Sequence, residues 1–182
     1  GLDDHDGVVT VLDWDDDPLP WIAMEYMDGG SLAERGKGMG FRQAAWTASQ
    51  VAGALEYAHG HGVAHLDLKP ANVLFRETAD GEWDAPKVAD WGLARLLLEH
   101  SRSVDGISPQ YAAPEQFDDS LAEAGRRTDI YQLGAVCYDL FTGRPPFDGR
   151  DSEVMYAVLE SPVTPPTEHT PELPPTVDEV LG

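Results

Sequence analysis

The stretch His65-Leu66-Asp67-Leu68-Lys69-Pro70-Ala71-Asn72-Val73-Leu74 sets a carboxylate, an ammonium and an amide within six residues. Asp90-Trp91-Gly92 follows 23 positions after Asp67, and Ala113-Pro114-Glu115 comes later. Together these residue types suit phosphoryl transfer, which needs an in-line hydroxyl, metal ions against phosphate charge and a cation near the moving group. Asp67 can orient an attacking hydroxyl and accept its proton. Lys69 can place positive charge beside the phosphoryl group, and Asn72 and Asp90 offer the oxygen ligands that hard Mg²⁺ prefers. Taken singly, each motif has a plainer reading: Asp-Trp-Gly as a turn, Ala-Pro-Glu as a helix start with proline in the first turn, His65 as a core histidine.

Such a set converges only if its loop is pinned. Upstream, residues 41–59 carry Ala44, Ala48, Val51, Ala52, Leu55 and Ala58 on a helical stripe, stopped by Gly60 and Gly62. Downstream, residues 73–75 and 87–89 read as β segments joined by a polar turn. Residues 129–141 are apolar on nearly all sides, as in a helix at the centre of a domain, and Gly143, Pro145 and Pro146 end it. Residues 8–12 and 21–27 read as two antiparallel strands, residues 93–112 as a long loop, and residues 152–159 as an amphipathic helix. The six prolines between Pro162 and Pro175 look at first like a linker.

With 182 residues the chain suits one domain or a large piece of one. Its 33 acidic against 12 basic residues give a net charge of −21, which argues against a nucleic-acid partner. A single cysteine, Cys137, excludes an intramolecular disulfide and a multi-cysteine metal cluster. No apolar run approaches the roughly 20 residues needed to span a bilayer. Nothing at the first residues resembles an export signal, so a cytoplasmic location is expected. The acidity fits either an ordinary solubilised surface or a high-salt cytoplasm, where the Debye length falls to about 3 Å at 1 M salt. Scarce lysine and the run Asp15-Asp16-Asp17 favour the halophilic reading, for which stability should rise with KCl.

On these motifs, in this order, the sequence resembles the eukaryotic-type Ser/Thr protein kinases. The implied fold class is α+β: a protein-kinase-like C-terminal lobe, mainly helical, with a two-stranded remnant of the N-lobe sheet. Residues 1–27 would be that remnant and the hinge strand, and residues 28–182 the C-lobe, cut before its last helices. The resemblance implies ATP and Mg²⁺ as cofactors and a protein substrate with a Ser or Thr acceptor. It makes Asp67 the catalytic base, Lys69 the phosphate-contacting lysine, and Asn72 and Asp90 the metal ligands. Asp129 would brace the catalytic loop and His65 would be structural. Met24 would be the gatekeeper, with the backbones of Glu25 and Met27 facing adenine and Leu74 beneath it. Lys69, where tyrosine kinases usually have Ala or Arg nearby, and Ser108, at a position expected to contact the catalytic Asp, point to Ser/Thr acceptors.

The sequence departs from the pattern in three places. Leu66 stands where the family has an arginine that pairs with a phosphorylated activation loop. A phosphate on Ser101, Ser103 or Ser108 therefore lacks that partner, and such phosphorylation is not expected to be the main switch. Trp91 replaces a phenylalanine, a modest change. The Gly-rich loop, the ATP lysine and its supporting helix are missing from these residues, and Lys37 and Lys87 replace none of them. The arginine partner of Glu115 would follow Gly182, which makes the proline-rich stretch the loop before a late helix. The 182 residues alone are thus expected to be inactive and the parent protein active. The alternative is a non-catalytic pseudokinase or docking module.

Overall fold

The computed structural model describes residues 2–19, 21–79, 81–91 and 108–182. Most of the long loop read at residues 93–112 lies outside them.

Two β segments precede the helices. Strand β1 (Val11–Asp15) pairs antiparallel with β2 (Trp21–Met24), with a shift of register between Val11 and Asp13. The sequence placed the first strand at residues 8–12, but pairing begins three residues later. Val8 and Val9 are drawn elsewhere: Val8 bridges Val88 in parallel, and the Val9 amide donates to the Val88 carbonyl at 2.9 Å. Both valines are buried there, which burial of apolar surface favours over a place in the solvent-facing hairpin. The second expected strand is shorter too, since residues 25–27 leave the ladder.

The short helix α1 (Leu32–Arg35) is capped by Ser31 and Glu34. The long helix α2 (Phe41–Gly60) then buries Ala44, Thr47, Val51, Ala54, Leu55 and Ala58, positions three or four apart on one face. A hairpin of β3 (Val73–Arg76) and β4 (Ala85–Val88) packs on it. Gly29 lies so close to β3 that a Cβ there would sit 2.8 Å from the Cβ and the carbonyl oxygen of Phe75; only glycine admits this approach.

Helix α3 (Arg126–Thr142) crosses α2, and Gly143 closes it in the left-handed region (φ +76°). The expectation that it is apolar and enclosed all round needs correction. Its buried N-terminal face carries Thr128, Asp129 and Gln132, whereas Ile130 is 59% exposed. Helix α4 (Asp151–Glu160) follows. The proline-rich stretch is docked and partly helical, as α5 (Pro166–His169), before α6 (Thr176–Leu181). Tyr138 donates to the Thr164 carbonyl at 2.9 Å, and the Thr167 amide donates to Asp178 at 3.0 Å. Leu32, Leu55, Leu68, Val73, Phe75 and Val136 form the centre of the core. Among the described residues no helix is long and apolar enough to cross a membrane.

Candidate active site

Residues 65–72 run between α2 and β3 and are held from below by α3. The Asp129 carboxylate is buried, which is costly unless donors surround it. It accepts the His65 amide at 2.8 Å, the Leu66 amide at 2.7 Å and His59 Nε2 at 2.7 Å. One helical turn on, Gln132 Oε1 accepts the Leu68 amide at 2.9 Å, and Gln132 Nε2 donates to the Leu66 carbonyl at 3.1 Å. Both peptides flanking Asp67 are therefore fixed from one helix face. This hold is needed, since Leu66 has φ +66°, a left-handed backbone that costs a non-glycine residue roughly 1–2 kcal/mol.

Asp67, Lys69 and Asn72 meet directly. Lys69 Nζ lies 2.8 Å from Asp67 Oδ2, with the two side chains 21% and 27% exposed. The turn Pro70–Asn72 carries Asn72 back, so that its Nδ2 donates to the Asp67 carbonyl at 2.9 Å and to Oδ2 at 3.3 Å. Asp90 is joined through the backbone: the Asn72 carbonyl accepts the Ala89 amide at 2.9 Å. His65 holds the same residue from the other side, its Nε2 donating to the Ala89 carbonyl at 2.8 Å while Nδ1 accepts the Asp67 amide at 3.2 Å. These bonds define a neutral imidazole protonated at Nε2. Burial holds its pKa below the ordinary 6.5, against the pull of the Ala89 carbonyl and the Asp129, Asp67 and Asp90 carboxylates. The Trp91 ring stands edge-on to His65 at 4.9 Å, and its Nε1 donates to the Val88 carbonyl at 2.8 Å. Asp90, between these two anchors, has φ +62°.

The other expected residues divide. Met27 is buried with Val9 and Ala89, and Leu74 packs against them. Met24 lines a cavity of about 200 Å³ that also reaches Asp90 and Trp91. The Glu25 carboxylate is committed within the protein: it takes Lys87 Nζ at 2.7 Å, the Arg76 guanidinium, and the Thr10 amide at 2.8 Å. Burial first, then the Arg76 charge, holds the Lys87 ammonium below its usual range. The Glu25 amide is spent on the Thr10 carbonyl at 3.0 Å, but among the described residues the Glu25 carbonyl and the Met27 amide take no backbone partner. The Ser108 carbonyl accepts the Tyr111 amide at 3.1 Å.

The set can hold a metal–nucleotide only in part by itself. Among the described residues no three acidic, His or Cys side chains cluster as a cage. Mg²⁺ suits such a site, because it is commonly bound by one or two carboxylates together with substrate phosphates. The Asn72 amide nitrogen is committed to Asp67, which leaves its oxygen for the ion.

Comparison with known proteins decides the family. A protein kinase domain profile matches residues 2–180. The chain belongs to the protein kinase family. It is 36% identical over 197 residues to the serine/threonine-protein kinase PknB of Mycolicibacterium smegmatis, covering 98% of this chain and 30% of that protein. It is 37% identical over 193 residues to the DNA damage-responsive serine/threonine-protein kinase RqkA of Deinococcus radiodurans, covering 97% and 27% respectively. This kinase chain thus spans less than a third of the length of these curated relatives. Two crystal structures of mutant PknI kinase domains from Mycobacterium tuberculosis superpose with TM-scores of 0.71 and 0.73 at 26% identity, covering 98% of this chain and 64% of each.

The sequence reading of this kinase segment missed four residues at the site: Gln132, Gln116, His59 and the Glu25 side chain. Gln132 was within reach, being three residues after Asp129 and so on the same helix face. Gln116 Nε2 donates to the Leu66 carbonyl at 2.9 Å from a turn 50 positions away, and nothing local signals that. Glu115 Oε1 accepts the Thr128 hydroxyl at 2.6 Å.

Proposed function

We propose that the protein carrying this segment transfers the γ-phosphoryl group of ATP to Ser or Thr hydroxyls of protein substrates. The observation that carries the reading is the hydrogen-bonded cluster of Asp67, Lys69 and Asn72, with Asp90 tied to it through the Asn72–Ala89 bond. Oδ2 of Asp67 is occupied by Lys69 and Asn72, so Oδ1 is left to receive the proton of the substrate hydroxyl. That hydroxyl oxygen bonds to the γ-phosphorus, the bond from phosphorus to the bridging oxygen breaks, and ADP leaves with the electron pair. Lys69 steadies the charge on the moving group. Asn72 Oδ1 and the Asp90 carboxylate would hold Mg²⁺, which when bound neutralises phosphate charge. The Glu25 carbonyl and Met27 amide would take the adenine edge, with Leu74 against the ring and Met24 at the back.

The test is Mg-ATP-dependent phosphorylation of a generic protein substrate by the full-length protein, with the modified residues mapped by mass spectrometry. Phosphoserine or phosphothreonine is expected, and Asp67→Asn should cost about 10²–10⁴ in rate. Nucleotide binding without any transfer would move the protein to the docking-module reading. The 182 residues alone, without a Gly-rich loop or ATP lysine, should transfer nothing measurable. With leucine at 66, phosphatase treatment of the full-length enzyme should leave its activity essentially unchanged.

A further inference from the structure

Five hydrogen bonds near Asp67 form a circuit of two side-chain amides. Gln132, 2% exposed, accepts the Leu68 amide and donates to the Leu66 carbonyl (2.9 and 3.1 Å). Its second N–H reaches Gln116 Oε1 at 2.9 Å. Gln116 Oε1 also accepts the Ala113 amide at 3.0 Å, and Gln116 Nε2 donates back to the Leu66 carbonyl at 2.9 Å. Only one orientation of each amide works. Turning Gln132 over would set N–H against the Leu68 amide, and turning Gln116 over would set oxygen against the Leu66 carbonyl. The circuit contains no ionisable group. It joins three segments distant in sequence: the loop at residues 66–68, the turn at residues 113–116, and α3.

We propose that Gln132 and Gln116 are positioning residues: together they fix the Leu66 peptide in its left-handed conformation, and so aim Asp67, by clamping it to the turn that follows the loop. The inference rests on the kinase reading above and adds what sets the angle of Asp67. Fixing Leu66 needs such a device, because the left-handed backbone there is disfavoured without outside support. Two neutral donors on one carbonyl supply that support without charge, so the clamp stays closed whatever the phosphorylation state of nearby serines.

The test compares Gln132→Met, Gln116→Met and the double variant in the full-length protein, with kcat expressed per nucleotide-binding site. Gln132→Met is expected to lower kcat about 10- to 100-fold with KM for Mg-ATP within about twofold, as for a misaimed group rather than a lost binding contact. The double variant should be little worse than Gln132→Met alone, since the circuit acts as a unit. Gln116 is only half-buried, so Gln116→Met carries the test if Gln132→Met fails to fold. A kcat per site unchanged in Gln116→Met, or losses that multiply in the double variant, would overturn the proposal while the kinase reading stands. Absence of transfer by the unsubstituted protein would overturn both.

Discussion

The loop at residues 65–72 and the β1–β2 hairpin are held by opposite means. The loop is over-determined: Asp129, Gln132, Gln116 and His65 each bond its backbone, and among the described residues no buried side-chain N or O atom lacks a partner. Among the described residues the hairpin is held mainly by its ladder. Val11, Leu12, Trp14, Trp21 and Ile22 are 43–67% exposed, and a two-stranded hairpin is marginal by itself. Precision in this molecule therefore resides where polar groups are buried and paired, and large apolar side chains contribute little where nothing covers them.

The sharpest way to break this contrast is Asp129→Ala, which strands three donors in the core. It should lower the unfolding free energy by about 3–5 kcal/mol in urea titrations followed by circular dichroism; a loss below 1 kcal/mol, about the worth of one ordinary hydrogen bond, would put the brace elsewhere. Leu68→Ala, at a fully buried position between Asp67 and Lys69, should cost about 2–5 kcal/mol through the cavity left behind. A smaller effect is expected from pH. Because the folded-state pKa of His65 lies below its ordinary 6.5, the unfolded chain takes up that proton first as pH falls. Its contribution is complete above the ordinary value and is lost progressively below it. His65→Gln should flatten the fall in urea midpoint between about pH 7 and 5.5; parallel slopes for the two proteins would sink the assignment. At the other extreme, Trp14→Ser on the open hairpin should shift stability by no more than about 0.5 kcal/mol.

The site was far more legible in the sequence than its supports. Asp67, Lys69 and Asn72 lie within one short loop, so their meeting needs only a turn. Asp90 follows from the register of two adjacent strands. The helices at residues 41–60 and 151–160 were readable because each buries one stripe. What stayed hidden depends on partners far apart. Val8 and Val9 have a strand's composition, yet which strand they join is decided by Val88, some 80 positions on. The exposure of Ile130 was beyond reach because apolar residues fall on nearly every side of that helix. Its buried face begins with the polar Thr128, Asp129 and Gln132, so no apolar period chooses a face. Of the glutamine circuit, Gln132 follows from the Asp129 face of its helix, but Gln116 stayed hidden, since nothing local to a glutamine betrays a carbonyl partner 50 residues away.

Residues 25–27 alternate inward and outward. Glu25 is clasped by two cations, Tyr26 is 85% exposed and Met27 is 9% exposed. The segment between hairpin and helices thus offers one free ring to solvent while its neighbours are committed. A cysteine at position 26 would accept a fluorophore in water while Asp67, Lys69 and Asn72 stay untouched, giving an optical handle on the proposed nucleotide site.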